Sequence, residues 1–305
     1  MKDDAQDHGV TPYLHLLVTM ALFGSAFASS KTVVGELPHQ VAAALRFGGG
    51  ALVLVALAVV LGRRRGPFTR REATRSGLVG LLGVLGYNVL FFWGLSMAPS
   101  LDGTIIVPVL SPVLTTILLL VLGRERASAA RLAGLALGLA GAVVFFLGVD
   151  GQAGASRLWG DLVFLLAAGC WAVYSITSKS LLAGSDSLRA TAWGTGIGAL
   201  GLMALAIPTV PQVEWSTVPA GVWANVVYLA IGPTAIAYLF YYQGLRRVSP
   251  STATIMMFTV PVFGAACSTA FLGESFSRLQ AVGAVVMLAG ALLAVLGPKR
   301  VRQVA

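Results

Sequence analysis

The sequence predicts an all-α integral membrane protein: ten transmembrane helices as two inverted five-helix repeats around a central cavity. Three observations carry that expectation. Of 305 residues, 57% are hydrophobic and 11% charged, and the mean hydropathy is +0.84, far from a soluble domain's balance. A helical span needs about 20 apolar residues, so the length holds about ten spans with short connections. The third observation is a duplication. Pro112, Glu125, Ser128, Gly134 and Gly141 recur as Pro261, Glu274, Ser277, Gly283 and Gly290, each pair 149 residues apart. Ser30-Lys31 echoes Ser178-Lys179, and Phe91 to Leu95 echoes Tyr241 to Leu245. Five spans per half force the second half to enter the membrane upside down, a mark of secondary transporters.

The elements follow in order. Residues 1–12 are polar, with Asp3, Asp4 and Asp7 beside Lys2, and read as a cytoplasmic segment. Ala26-Phe27-Ala28 resembles a cleavage site, but the acidic start argues against a removed signal. The first repeat, 13–148, holds helix 1 (Tyr13–Ser30), helix 2 (Pro38–Leu61), helix 3 (Ser76–Met97), helix 4 (Gly103–Leu122) and helix 5 (Ala129–Gly148). An external linker, 149–158, joins the halves. The second repeat, 159–297, holds helix 6 (Trp159–Leu182), helix 7 (Ala190–Ile207), helix 8 (Gly221–Gly244), helix 9 (Ser251–Leu272) and helix 10 (Leu279–Leu296). A cytoplasmic tail, 298–305, ends the chain.

Charge orients the bundle. Seventeen basic residues fall on the N-terminal side of the membrane, six of them in Gly62–Arg75; Lys31, Arg157 and Arg278 fall on the other, and Arg46 lies within helix 2. The positive-inside rule then puts both termini in the cytoplasm of a cell that carries the protein in its inner membrane. The net charge of +9 is explained by topology, so nucleic acid is not expected as a partner. The lipid bilayer and a small-molecule substrate are. The pattern accommodates a monomer and does not fix the oligomeric state. Cys170 and Cys267 sit in apolar runs as packing residues. His8, His15 and His39 lack metal-ligand spacing, and no phosphate-binding loop or hydrolase motif occurs. Neither cofactor, metal site nor catalytic residues are expected.

Candidate binding residues come from helical stripes. Thr104, Pro108, Ser111 and Thr115 share one face of helix 4, and Thr252, Met256, Thr259 and Phe263 repeat that spacing on helix 9. Helix 6 aligns Trp171, Tyr174, Ser175 and Ser178, helix 8 aligns Thr234, Tyr238, Tyr241 and Tyr242, and helix 3 adds Tyr87, Asn88 and Phe91. Hydroxyls can also satisfy themselves on their own helix. Pro108, Pro112, Pro233 and Pro261 leave carbonyls free, which protein or cavity water must satisfy. Together they place Tyr87, Asn88, Ser111, Trp171, Tyr174, Tyr238 and Met256 on a central cavity. Trp159, Trp215 and Trp223 read as interfacial anchors. Glycines every third residue from Gly77 to Gly86, with Gly134, Gly138, Gly194 and Gly198, read as close-packing positions.

Charges within the membrane are few. Arg46 lies roughly 12 Å deep at about 1.5 Å per residue, and Glu36, Asp102 or free carbonyls are its expected partners. It is either a structural tie or part of the gate or site. Lys31 and Lys179 end helices 1 and 6, where they snorkel to opposite surfaces or serve a gate. Asp102 either caps helix 4 or couples transport to protons.

These residues also resemble a known family. Gly24-Ser25-Ala26-Phe27 running to Lys31, Leu37-Pro38 leading to Arg46-Phe47, and Tyr87-Asn88 through Gly94-Leu95 are similar to the drug/metabolite transporter superfamily, in its ten-helix EamA-type branch. Leu122-Gly123 with Glu125, Trp171-Ala172 through Lys179, and Leu272-Gly273-Glu274 extend the resemblance over residues 13–297. Arg124, inserted between Gly123 and Glu125, departs from the pattern. The resemblance implies a basket of helices with helices 5 and 10 outermost. It also implies transport of small metabolites without ATP hydrolysis, often export of amino acids. Aromatic residues on the cavity suit an amphipathic zwitterion, an aromatic amino acid or a quaternary amine. A passive pore, an importer, and a membrane enzyme or scaffold are the competing classes; the last lacks catalytic groups.

Overall fold

Helices account for nearly all of the computed structural model, which describes residues 11–62, 68–123, 128–148, 154–181, 186–245 and 256–296; no strand occurs among them. The first run of helices is α1 (Thr11–Glu36), α2 (His39–Gly62), α3 (Arg70–Met97), α4 (Ser100–Val121) and α5 (Ala129–Leu147). The second begins with α6 (Gly154–Leu181) and α7 (Ser187–Ala206). Next comes α8, which opens as Ala220–Leu229 and closes as Ala237–Leu245. Last come α9 (Val260–Leu272) and α10 (Arg278–Leu296). Among the described residues, α1 to α6 and α8, seven in all, are each long and apolar enough to cross a membrane; α9 and α10 are shorter apolar helices. Large apolar side chains such as Leu52, Val121, Phe271 and Val285 face outward, as a lipid-facing surface requires. The arginines at 63–65, 124, 126 and 246–247, residues 150–153, the start of the expected helix 9 and the tail lie outside the described residues. So does the side chain of Lys179.

Several helices outrun their apolar segments. Helix 1 continues past Ser30 to Glu36, so Lys31 lies inside α1 and does not end it. Helix 3 begins at Arg70, six residues early, because Thr69 and Glu72 form a capping box there: Thr69 Oγ1 accepts from the Glu72 backbone at 3.2 Å, and Glu72 accepts from the Thr69 backbone at 2.9 Å. Helix 6 begins at Gly154, which takes Arg157 out of the linker and into the helix. Backbone hydrogen bonding continues where hydropathy has already stopped, and that is why hydropathy alone misplaced these ends. Ser128 and Ser277, a matched pair in sequence, accept from the backbones of Arg131 and Gln280, also a matched pair, and so cap α5 and α10 alike. Gly123 and Gly273 close α4 and α9 at φ +66° and +67°, left-handed positions that favour glycine.

Helices of one half pack chiefly on the other. α2 lies against α7, α1 against α8 and α9, α3 against α6 and α7, and α4 against α6. α5 and α10 form a seam with almost no side chain between their backbones. A Cβ on Gly134 would stand 2.3 Å from the Ala294 nitrogen, and one on Gly141 2.4 Å from the Met287 nitrogen. On the facing helix, Cβ atoms on Gly283 and Gly290 would stand 2.4 and 2.2 Å from the nitrogens of Phe145 and Gly138. Every larger residue at these positions would force the helices apart. The pairing is antiparallel, and adding 149 to the α5 member while subtracting 149 from the α10 member turns one pair into another: 134 with 294 becomes 283 with 145.

One further match was invisible in the sequence. α3 widens into a π-helical turn at Leu81–Gly86, and α8 does the same at Ala230–Ile236. The two turns start 149 residues apart. A π turn leaves carbonyls without their usual donors, and a side chain supplies one in each. Asn88 Nδ2 donates to the Val84 oxygen at 2.9 Å and to that of Gly83 at 3.4 Å. Thr234 Oγ1 donates to the Leu229 oxygen at 2.8 Å.

Candidate functional site

The π turn of α8 meets the buried guanidinium of Arg46, whose residue is 7% exposed. Gly50, one turn on, lets α2 ride directly over Thr234; a Cβ there would come within 2.4 Å of the threonine methyl. Arg46 Nε then donates to Thr234 Oγ1 at 3.4 Å and Nη1 to Ser30 Oγ at 3.2 Å. Its charge lies 4.9 Å from the centre of the Phe47 ring and 5.9 Å from those of Phe91 and Phe92. Glu36 and Asp102, expected as partners, do not pair with it, and no carboxylate among the described residues lies within ion-pair distance. Tyr238, Tyr87 and Tyr228 stand within electrostatic reach.

Tyr87 and Tyr238, both singled out in the sequence, stand within electrostatic reach of this charge, each in an aromatic grouping of its own. Tyr87 meets Trp171 edge-on at 4.9 Å, and Trp171 meets Tyr174 at 5.0 Å. The missing side chain of Gly83 makes room for the Tyr174 ring, which a Cβ there would approach to 2.3 Å. Tyr238 lies edge-on to Phe23 at 5.8 Å. Met256 is partly buried against the core. Asn88 and Ser111 are buried, and both spend hydrogen bonds on their own helices, Ser111 on the Val107 oxygen at 2.5 Å. Thr115 and Thr116 do likewise, on the oxygens of Ser111 and Pro112, so the hydroxyl stripe of α4 is largely self-satisfied. Trp159 is 62% exposed, and Trp215 stacks on Trp223 at 6.0 Å at the surface.

A cavity of about 440 Å³ opens between α1, α8 and α9, lined by Ser25, Ser29, Thr32, Asn225, Tyr228 and Cys267 among others. Two short hydrogen bonds cross it, Ser25 with Tyr228 and Ser29 with Asn225, both 2.6 Å. Tyr228 borders both this cavity and the Arg46 environment. The aromatic cluster of Tyr87, Trp171 and Tyr174 lies on other helices.

At the end of the bundle remote from both described termini, polar groups close the helices together. Lys31 Nζ donates to the oxygens of Leu95 and Ala98 at 2.6 and 2.8 Å, tying α1 to the end of α3. Glu274 accepts from the backbones of Ser100 and Leu101 at 3.0 and 2.7 Å, a carboxylate on the N-terminus of α4. Asp102 does not cap α4 but lies within its first turn, fully buried. Its oxygens accept Arg157 Nε at 2.7 Å, Arg157 Nη2 at 2.9 Å and Gln280 Nε2 at 3.2 Å. Sequence reasoning singled out Lys31 and Asp102 but missed the assembly they join; Asp161, four residues after Arg157 in an otherwise apolar run, was a further signal for it.

The two runs of helices coincide with a family match. Residues 11–147 and 158–296 each fit the model of the EamA-like transporter family. An aromatic amino acid exporter, YddG, of Ancylobacter novellus is 28% identical over 289 residues, covering 92% of this chain and 96% of that protein. A probable terminal-alkyne amino-acid exporter of Streptantibioticus cattleyicolor is 28% identical over 91% of each chain. The uncharacterized transporter YyaM of Bacillus subtilis is 27% identical over 92% of each. A solved crystal structure superposes with a TM-score of 0.63 at 24% identity, over 95% of this chain and 98% of that one, and shares the fold. A doubled family match along a chain of apolar helices with duplicated caps and turns leads to one assignment: this multi-pass membrane protein belongs to the EamA-like transporter family.

Proposed function

We propose that the protein is a secondary transporter that exports amino acids or related amphipathic metabolites across the cytoplasmic membrane by alternating access. The observation that carries this reading is Arg46: a buried guanidinium held by two hydroxyls and ring faces, with no carboxylate partner among the described residues. A substrate carboxylate would complete it with a charge-assisted, two-pronged pair. The rings of Tyr87, Trp171, Tyr174 and Tyr238, and the side chain of Met256, offer apolar and π surface for the rest of the molecule. Asn88 and Ser111 support that wall through their own helices. The two relatives named as amino-acid exporters favour the same substrate class.

Ten spans in two inverted repeats account for the remaining features. The antiparallel α5–α10 seam, whose contact pairs interchange under the 149-residue shift, is what two halves of opposite orientation would make. The distribution of basic residues supports cytoplasmic termini. Counterflow in proteoliposomes preloaded with L-phenylalanine tests the function: saturable, trans-stimulated uptake is expected, and Arg46→Gln should lower affinity roughly tenfold or more, the scale of a charged hydrogen bond. Flux that rises linearly with concentration without trans-stimulation would instead establish a passive pore.

A further inference from the structure

Beside the Asp102–Arg157 pair lies a carboxyl group that nothing has yet accounted for. Asp161, in α6, is fully buried, and neither of its oxygens has a hydrogen-bond donor. The carboxylate of Asp102 and the guanidinium of Arg157 stand within electrostatic reach of it. Asp102 already accepts three hydrogen bonds, from Arg157 and Gln280, and is therefore the ionised member. An ionised Asp161 would be a dry carboxylate with no donor, facing another negative charge, a strongly unfavourable state. A proton on Asp161 removes the difficulty. The acid O–H donates to the Asp102 carboxylate, and both groups are satisfied.

The charge balance points the same way. Asp102, Asp161 and Glu274 face Arg157 of α6 and Lys31 of α1, with neutral Gln280 of α10 closing the group. With every acid ionised, the assembly carries one excess negative charge; a single proton cancels it. A metal cation fits poorly. The two basic side chains already occupy the electrostatic role, and no cluster of metal-ligating residues occurs among the described residues.

We propose that Asp161, bridged to Asp102, is a proton-binding site at this closed end of the bundle, and that it makes transport proton-linked. The second half of the proposal rests on the transporter reading. The α4–α6 and α4–α10 contacts that hold this end shut also keep water from Asp161. When the end opens, water solvates the carboxyl group, the O–H bond breaks, the proton passes to water, and a carboxylate stays behind. Closing dehydrates the carboxylate again and requires a proton to return.

Infrared spectroscopy of the purified full-length protein in lipid nanodiscs tests the site independently of any substrate. A protonated-carboxyl C=O band is expected at neutral pH, shifted in deuterium oxide and lost in Asp161→Asn. That variant should fold, because the amide replaces the acid isosterically and can donate to Asp102. Absence of the band, or its persistence in Asp161→Asn, overturns the proposal. So does a saturable heat of sodium binding that Asp161→Asn abolishes, which would make the site a cation site. In proteoliposomes moving L-phenylalanine, an imposed pH difference should change wild-type flux severalfold, and that ratio should fall to one in Asp161→Asn. A gradient-sensitive Asp161→Asn flux overturns the coupling. A wild-type protein that moves no phenylalanine counts against the substrate reading, while the infrared band still decides the proton site.

Discussion

At the scale of single residues, the chain separates aromatic side chains by what surrounds them. Trp171 is wedged between Tyr87 and Tyr174, whereas Trp159 projects from the same helix into the surroundings. Truncating Trp171 or Tyr238 to Ala removes π surface without adding charge. Substrate affinity should fall about tenfold in each, by loss of roughly 1–2 kcal/mol of ring contact, while expression and membrane insertion hold. Trp159→Ala should leave affinity unchanged. Scintillation proximity binding on purified protein makes the comparison, and the opposite ranking would move the binding surface to other helix faces. Asp102 shows how a residue can be noticed and still misread: its place at a helix start suggested a cap, yet its partner Arg157 lies 55 residues further along, on another helix. Sequence spacing carries no trace of such a pair.

At the scale of elements, the existence and order of the helices were legible because each is an apolar run punctuated by Gly, Pro or charge. The π turns were not. Their glycines, Gly83 and Gly86, fit a close-packing pattern equally well, and one extra residue in a helical turn has no compositional signature. Asn88 read as a cavity residue, but in the structure it serves the widened turn. Asn88→Leu should therefore lower thermal stability in detergent, by about 1–3 kcal/mol for buried carbonyls left without a donor, whether or not substrate is present. A Tm loss that saturating substrate fully rescues would point instead to direct ligand contact. Helical stripes singled out Tyr87 and Tyr238, which stand within electrostatic reach of Arg46. The hydroxyls that hold Arg46, on Ser30 and Thr234, were not legible as its partners, since they come from helices far apart in sequence.

At the scale of the whole molecule, charge asymmetry predicts which surfaces meet the cytoplasm. In a variant lacking Cys170 and Cys267, a single cysteine at position 153 should react with an impermeant thiol reagent on intact cells, and one at position 66 should not. The reverse pattern would invert the molecule. The α5–α10 seam has a mechanical consequence for either orientation. Its contacts join each segment to its own counterpart, with 134 against 294 mirrored by 283 against 145. If the halves trade shapes during a cycle, those two pairs merely exchange roles, and the seam returns to itself. It can therefore act as a fulcrum. Displacement would be smallest there and would grow along the lever arms of α1–α4 and α6–α9, so the contact of Gly138 with Gly290 would set how far each mouth can swing.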